Sequence, residues 1–136
     1  YSATKFAVVA MSEGWYGQLA GENIHVGVLF PGFVKTRINQ SGRTRPEKYG
    51  GPVITQPVPG NPVDSGIDPE RVGRRVLEAI LAKDPYIFTH PDMRGALEMR
   101  FQRLMQGFDA ASASPALAGM EYTTPDLGGV LNPAGI

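Results

Sequence analysis

The spacing of apolar positions divides the chain into a few regular segments separated by long irregular ones. In residues 1–21 the apolar side chains recur at close to helical spacing, which predicts a helix. Residues 24–30 form a nearly continuous apolar run, which is typical of a strand covered on both faces, as in a parallel sheet. The chain is therefore predicted to begin with a helix that leads into a buried strand.

The middle of the chain predicts a helix, a short strand and a last helix. Asp68 followed by Pro69 is a favourable helix start, and the apolar residues that follow form one stripe that ends near Lys83. Residues 85–89 predict a short strand, and Asp92 is the expected cap of the last helix. Its apolar stripe is typical of a core or a subunit interface. The stripe consists of Met93, Ala96, Leu97, Phe101, Leu104, Met105 and Phe108.

Two segments show no regular periodicity. Residues 37–67 carry five prolines and five glycines. A structureless segment of this length inside a compact domain is uncommon and is usually functional or disordered. We therefore predict a long loop that is either functional or disordered. Residues 109–136 are rich in Ala, Gly, Ser and Pro and are expected to form an irregular tail.

Composition and charge bear on partners more than on the fold. The 136 residues carry no net formal charge, so nothing favours binding to nucleic acid or to an acidic membrane surface. The chain has no cysteine, which excludes disulfides and is compatible with the reducing cytoplasm. It has no run of about 18 apolar residues, as a membrane-spanning helix would need. We expect a cytoplasmic protein with no nucleic-acid or membrane partner and no metal, in which His25 and His90 are structural.

The candidate chemistry lies in Tyr1-Ser2-Ala3-Thr4-Lys5, at the start of the first predicted helix. Residues four apart share one face of a helix, so the Lys5 ammonium would lie beside the Tyr1 phenol. A free tyrosine has a pKa of about 10 and is a poor base at neutral pH. A positive charge at roughly 5 Å favours a phenolate by about 3 kcal/mol at an effective dielectric constant of about 20. The pair is therefore a candidate for proton transfer near neutral pH.

A second motif, Pro31-Gly32, follows the predicted strand at its carboxyl end, where ligands bind in open α/β sheets. A simple strand-ending turn would use the same two residues. Tyr-Ser-Ala-Thr-Lys-Phe-Ala, then a strand, then Pro-Gly-Phe-Val-Lys-Thr closely resembles the short-chain dehydrogenase/reductase family. The resemblance covers about residues 1–108 and is strongest in 1–36. It implies an α/β fold, the C-terminal portion of a Rossmann-like doubly wound parallel sheet with three α/β/α layers.

The resemblance also implies an NAD(P)-dependent oxidoreductase that interconverts a secondary alcohol and a ketone. Tyr1 would move the proton on the substrate oxygen, while Lys5 would stabilise the phenolate and hold the cofactor ribose. The backbone around Phe33 and Val34 would meet the nicotinamide carboxamide, and the Thr36 hydroxyl would bond cofactor oxygens. The sequence leaves NAD and NADP open. The implied cofactor-binding residues are Tyr1, Lys5, Pro31, Gly32, Phe33, Val34 and Thr36.

In the family, the active-site Tyr lies past the middle of the domain, after a Gly-rich phosphate loop, an Asn and a Ser. Residues 1–108 are therefore expected to be the C-terminal half of such a domain and to be inactive alone. Residues 37–67 would form its substrate lid. The first helix would pack against its copy in a homodimer or homotetramer, or would be an ordinary core helix.

The substrate is suggested by a local similarity. Residues 43–50 look like the corresponding segment of short-chain dehydrogenases that act on bulky aryl alcohols from lignin breakdown. Phe33, Tyr49, Val53 and Ile54 are able to wall an apolar cleft, so we expect a substrate with a sizeable apolar or aromatic part.

Two interpretations remain open for the basic residues of the lid segment. They contact cofactor phosphates or an acidic substrate, or they form a solvated face of the loop. They are Arg37, Arg43, Arg45 and Lys48.

Two alternatives to the oxidoreductase remain open. One is a non-catalytic dinucleotide-binding or interaction module of the same fold, and the other is an epimerase or dehydratase of the family.

Overall fold

The computed structural model describes residues 1–54, 56 and 58–121. They divide into two compact units, one made of Tyr1–Val28 with the described residues from His90 onward, the other of Leu29–Thr89. The regular elements are helix α1 (Ser2–Gln18), strand β1 (Val28–Phe30), helix α2 (Pro69–Ala82), strand β2 (Tyr86–Phe88) and helix α3 (Arg94–Ser112). Short 3-10 helices cover Ile38–Thr44, Glu47–Tyr49, Pro91–Met93 and Pro115–Leu117.

Strands β1 and β2 pair in parallel, and α2 makes the crossover between them. The Phe30 ring stacks on Phe88 with centroids 4.8 Å apart, which reinforces the pairing. The predicted strand 24–30 is shorter in the structure, because β2 offers β1 only three residues to pair with. Helices beside a small parallel sheet are consistent with part of a Rossmann-like α/β fold.

Helix α2 agrees with the sequence at both ends. The Asp68 carboxylate accepts a hydrogen bond from the Glu70 N–H at 2.8 Å, as an N-cap should. The helix ends where Lys83 adopts a left-handed backbone with φ of 58°. The Arg75 guanidinium then pairs with the Asp84 carboxylate at 2.9 Å and holds the turn into β2.

Helices α1 and α3 differ from the sequence at their ends. The predicted helix 1–21 stops at Gln18, and the glycines around this point disfavour further helix. Asp92 is not the cap of α3, because Pro91 starts a 3-10 turn there and α3 begins only at Arg94.

The predicted tail 109–136 is shorter than expected. Helix α3 continues to Ser112, since alanines at 110 and 111 favour helix, and Pro115–Leu117 adds a 3-10 turn. Residues 122–136 of that prediction lie outside the described residues.

Side-chain contacts within the first unit join α3 to α1 and α1 to the segment after it. The Arg100 guanidinium of α3 lies 5.1 Å from the centroid of the Phe6 ring of α1, which is a cation–π distance. The His25 ring packs edge-on against Tyr16 at 5.9 Å, a contact that fits the structural role predicted for this histidine.

Burial in the described residues is concentrated in strands β1 and β2 and the helix α2 that connects them. The three elements each contribute one buried apolar residue, Val28, Ala79 and Ile87. The large apolar side chains of α1 and α3 are more exposed than these three buried residues. The larger of them are Phe6, Val8, Met11 and Trp15 on α1, and Leu97, Met99, Phe101, Leu104, Met105 and Phe108 on α3.

Candidate active site

Tyr1 and Lys5 lie together at the start of α1. The Lys5 N–H donates to the Tyr1 carbonyl at 3.0 Å, and the Thr4 hydroxyl donates to the same oxygen at 2.7 Å, so Tyr1 is fixed as the helix cap. The Lys5 Nζ lies 5.4 Å from the centroid of the Tyr1 ring. The Tyr1 side chain is 90% exposed in this chain, so its phenol is accessible to a small molecule.

The Pro31-Gly32 turn is held in place by a residue that the sequence analysis did not select. The Gly32 N–H donates to the Thr89 hydroxyl oxygen at 3.3 Å, and the Thr89 hydroxyl donates to the Phe30 carbonyl at 3.5 Å. Thr89 directly follows β2, so the turn lies at the carboxyl ends of both strands. Thr89 is the last residue of the strand predicted over 85–89, and this position at its carboxyl end was the one signal in the sequence that pointed to it.

Residues 33–35 pair with the far end of the long loop through an isolated parallel bridge between Val34 and Ile67. The Ile67 N–H donates to the Phe33 carbonyl, and the Lys35 N–H donates to the Ile67 carbonyl, each at 2.9 Å. Because Ile67 bonds to both neighbours of Val34, the N–H and C=O of Val34 itself point to the other side. A donor and an acceptor are thus directed away from the loop.

Thr36 stands where the chain leaves this bridge and enters the 3-10 helix Ile38–Thr44. Its hydroxyl oxygen accepts a long hydrogen bond from the Ile38 N–H at 3.4 Å, and its side chain is exposed. A hydroxyl keeps its own proton to donate in this arrangement, so Thr36 is able to bond an oxygen of a ligand.

The loop predicted over 37–67 is more ordered than its composition suggests. Two 3-10 helices occupy much of its first part. The Val53 N–H donates to the Gly42 carbonyl at 2.8 Å, which closes the intervening residues into a ring. Gly51 lies against the Glu47 carboxylate, where a Cβ would come within 2.7 Å of an oxygen. Residues 55 and 57 of this loop are outside the described part.

The predicted site residues fall into two groups of neighbours. Tyr1 and Lys5 belong to the first compact unit, and residues 31–36 belong to the second. Each group is formed by residues close in sequence, and the second is held by Thr89 and Ile67 from farther along the chain.

In residues 1–54, 56 and 58–121 no cluster of three or more His, Cys, Asp or Glu side chains is arranged to hold a metal ion. No helix in the same part of the chain has the length and apolarity needed to cross a bilayer.

Comparison with known families gives a match in the region that carries both groups. Residues 1–47 match the family described as short chain dehydrogenase. The matched segment contains Tyr1 and Lys5 together with residues 31–36.

The chain is also similar to several characterised dehydrogenases. It is 27% identical over 120 residues to C alpha-dehydrogenase of Sphingobium sp., covering 85% of this chain and 39% of that protein. It is 30% identical over 126 residues to CLA biosynthesis dehydrogenase/reductase of Lactiplantibacillus plantarum, covering 77% and 41%. It is 30% identical over 115 residues to 1-deoxy-11-beta-hydroxypentalenate dehydrogenase of Streptomyces exfoliatus, covering 85% and 37%. The chain therefore spans about two fifths of the length of each relative.

Proposed function

The chain belongs to the short-chain dehydrogenase/reductase family, and from this we propose that it acts within an NAD(P)-dependent oxidoreductase. The proposed reaction interconverts a secondary alcohol and a ketone. Since the chain spans about two fifths of the length of these relatives, the activity is proposed for the whole protein that contains it.

The observation that carries the proposal is the Tyr1–Lys5 pair. Both residues lie in the segment that matches the family, and the Lys5 ammonium lies 5.4 Å from the Tyr1 ring. Tyr1 is therefore proposed to take the proton from the alcohol oxygen during oxidation and to return one to the ketone oxygen during reduction.

The cofactor, when bound, supplies the nicotinamide ring that exchanges hydride with the substrate carbon. The residues after β1 fit such a ligand in two respects. Val34 directs a backbone donor and a backbone acceptor away from the loop, and a carboxamide needs one of each. Thr36 offers an exposed hydroxyl two residues farther on. Pro31 and Gly32 form the turn that carries these groups, and Lys5 is proposed to donate to the cofactor ribose.

The substrate is proposed to have a large apolar or aromatic part. The exposed apolar side chains after β1 in the second unit include Phe33, Tyr49, Val53 and Ile54. Ligand pockets are mostly apolar with a few polar anchors, so exposed side chains of this kind suit such a substrate better than a sugar. The local similarity of residues 43–50 to aryl-alcohol dehydrogenases supports the same class.

A substrate panel tests the proposal with the full-length protein. Aryl carbinols, steroids, 3-oxoacyl thioesters and sugars are assayed by nicotinamide absorbance with NAD and NADP. We expect kcat/KM for the aryl carbinols to exceed that for sugars by at least about tenfold, or roughly 1.4 kcal/mol of differential transition-state binding.

Each other outcome of the panel has a defined meaning. A clear preference for sugars or small polyols contradicts the apolar substrate. Preference for steroids or acyl thioesters keeps the apolar cleft and discards the aryl-alcohol analogy. Dinucleotide binding without turnover of any alcohol or ketone indicates a non-catalytic module. A product that has lost water or changed configuration, with no net nicotinamide conversion, indicates the epimerase or dehydratase alternative.

Residues 37–67 are proposed to act as the substrate lid, opening without ligand and closing over cofactor and substrate. Trypsin is then expected to cut after Arg37, Arg43 and Lys48 in the free protein and several times more slowly in the ternary complex. Lys83, at the end of α2, is the control site, where cutting should proceed equally in both states. Equal protection or equal exposure of the lid in both states would make it a passive loop.

The full-length protein is proposed to be a homodimer or homotetramer. The exposed apolar residues Val8, Met11 and Trp15 of α1 support this, because they share one side of the helix and such a face is stabilised by packing against another helix. The oligomeric state measured by light scattering checks the assignment.

A further inference from the structure

The base of the lid is attached to the backbone that is proposed to bind nicotinamide. The chain leaves this backbone after Lys35 and returns to it at Ile67, through the bridge to Val34. Both ends of the lid are thus fixed by the two hydrogen bonds that join Ile67 to Phe33 and Lys35. Movement at this base would move the Val34 donor and acceptor with it.

Gly66 makes the closest approach at this base. A methyl group at Gly66 would lie 2.5 Å from the Phe33 carbonyl oxygen, 2.6 Å from its carbonyl carbon and 2.9 Å from the Val34 nitrogen. All three are backbone atoms, so none is able to swing aside as the end of a side chain does. Ordinary contact begins near 3.4 Å, and the two segments would have to separate by about 0.9 Å.

The requirement for glycine here is one of space. Gly66 is not among the glycines with positive φ, so its backbone conformation is open to other residues. Its N–H donates to the Val63 carbonyl at 3.2 Å, which holds it in the turn that precedes Ile67. A side chain at position 66 would therefore clash with the backbone of Phe33 and Val34.

We infer that Gly66 is a positioning residue for the nicotinamide ring. Its missing side chain lets the returning lid segment lie against Phe33 and Val34, and this contact sets where the Val34 donor and acceptor stand. The inference rests on the proposed function, because it takes Val34 as the carboxamide contact. A displacement of about 1 Å between reacting groups lowers rates by about a hundredfold.

The test compares three Gly→Ala variants of the full-length protein. Gly66→Ala introduces the contact at the base of the lid. Gly42→Ala introduces a similar contact within the lid, 2.7 Å from the Val53 carbonyl oxygen. Gly73→Ala is the matched control in α2, where a methyl group meets nothing within 4 Å. For each variant, the Kd values for the reduced dinucleotide and for ADP-ribose, which lacks nicotinamide, are measured with kcat and the melting temperature.

Gly66→Ala is expected to weaken reduced-dinucleotide binding about tenfold or more and to lower kcat by up to about a hundredfold, with ADP-ribose binding unchanged within twofold. Gly42→Ala is expected to raise KM for the alcohol without changing the ratio of the two Kd values. Gly73→Ala should behave as the unsubstituted protein. If Gly66→Ala matches Gly73→Ala, or weakens both ligands in proportion, the inference is overturned.

A measurement on the unsubstituted protein applies even if Gly66→Ala does not fold. Hydrogen exchange at the Lys35 and Ile67 amides, which form the bridge, is expected to slow with the dinucleotide and not with ADP-ribose. Equal protection of these amides by both ligands would overturn this inference and leave the proposed function standing. Failure of the unsubstituted protein to bind any nicotinamide dinucleotide would overturn the proposed function and the inference with it.

Discussion

Replacing Tyr1 by Phe in the full-length protein is expected to lower turnover by at least about a hundredfold. The change keeps the ring and removes the phenol oxygen, and general acid–base catalysis contributes about 10²–10⁴-fold. Dinucleotide affinity should change little by comparison, because the ring that packs near Lys5 remains. Steady-state kinetics measure the turnover number kcat, and a fluorescence titration with reduced cofactor measures the dinucleotide Kd.

Tyr16→Phe is the matched control for this change. It makes the same substitution on the same helix, at a tyrosine whose ring packs against His25, and should keep turnover near the unsubstituted value. Lys5→Met tests the partner of Tyr1: turnover should fall and the affinity for reduced cofactor should weaken, since Lys5 is proposed to donate to the cofactor ribose. Near-normal turnover in Tyr1→Phe would show that the proton is carried elsewhere.

The 136-residue chain alone is expected neither to bind a nicotinamide dinucleotide nor to unfold cooperatively. Three apolar residues are buried among those described, Val28, Ala79 and Ile87. Full burial of a large apolar side chain stabilises by about 1.5–3 kcal/mol, whereas ordering the backbone costs about 1–2 kcal/mol per residue. So few buried side chains do not offset that cost without further partners for the exposed apolar faces.

Calorimetry of the isolated chain, with and without NAD(H) and NADP(H), measures this directly. We expect no sharp endotherm and no saturable heat of binding, while the full-length protein under the same conditions shows both. A cooperative transition together with micromolar dinucleotide binding by the isolated chain would contradict the expectation.

The elements that the sequence predicted best are those fixed by local chemistry. Helix α2 carries its start signal in Asp68 and Pro69 and its apolar stripe in the residues that follow, so both ends were predictable. The Tyr1–Lys5 proximity follows from helical spacing alone. Strand β1 depends on the length of its neighbour β2, which lies more than fifty residues away, and the predicted strand was too long.

The residues that the sequence analysis missed act over long separations in sequence. Thr89 holds the Gly32 turn from 57 residues away, and Gly66 leaves no room for a Cβ beside the Phe33 backbone. A threonine after a strand and a glycine in a loop are common, and neither periodicity nor a local motif distinguishes these two. The loop was predicted from its many glycines and prolines. Its order comes from backbone hydrogen bonds between residues that are far apart in sequence, and no sequence pattern predicts which residues pair.

The closure between Gly42 and Val53 gives the proposed lid a modular organisation. The residues between them form a ring whose ends are fixed to each other at 2.8 Å, independently of the bridge at Ile67. The side chains of this ring can therefore diverge, or be exchanged as a cassette with those of another family member, while the junction keeps its geometry. Under the proposed function, substrate preference and cofactor use would then change separately, and one scaffold would accept new alcohol substrates while the proposed nicotinamide site stays the same.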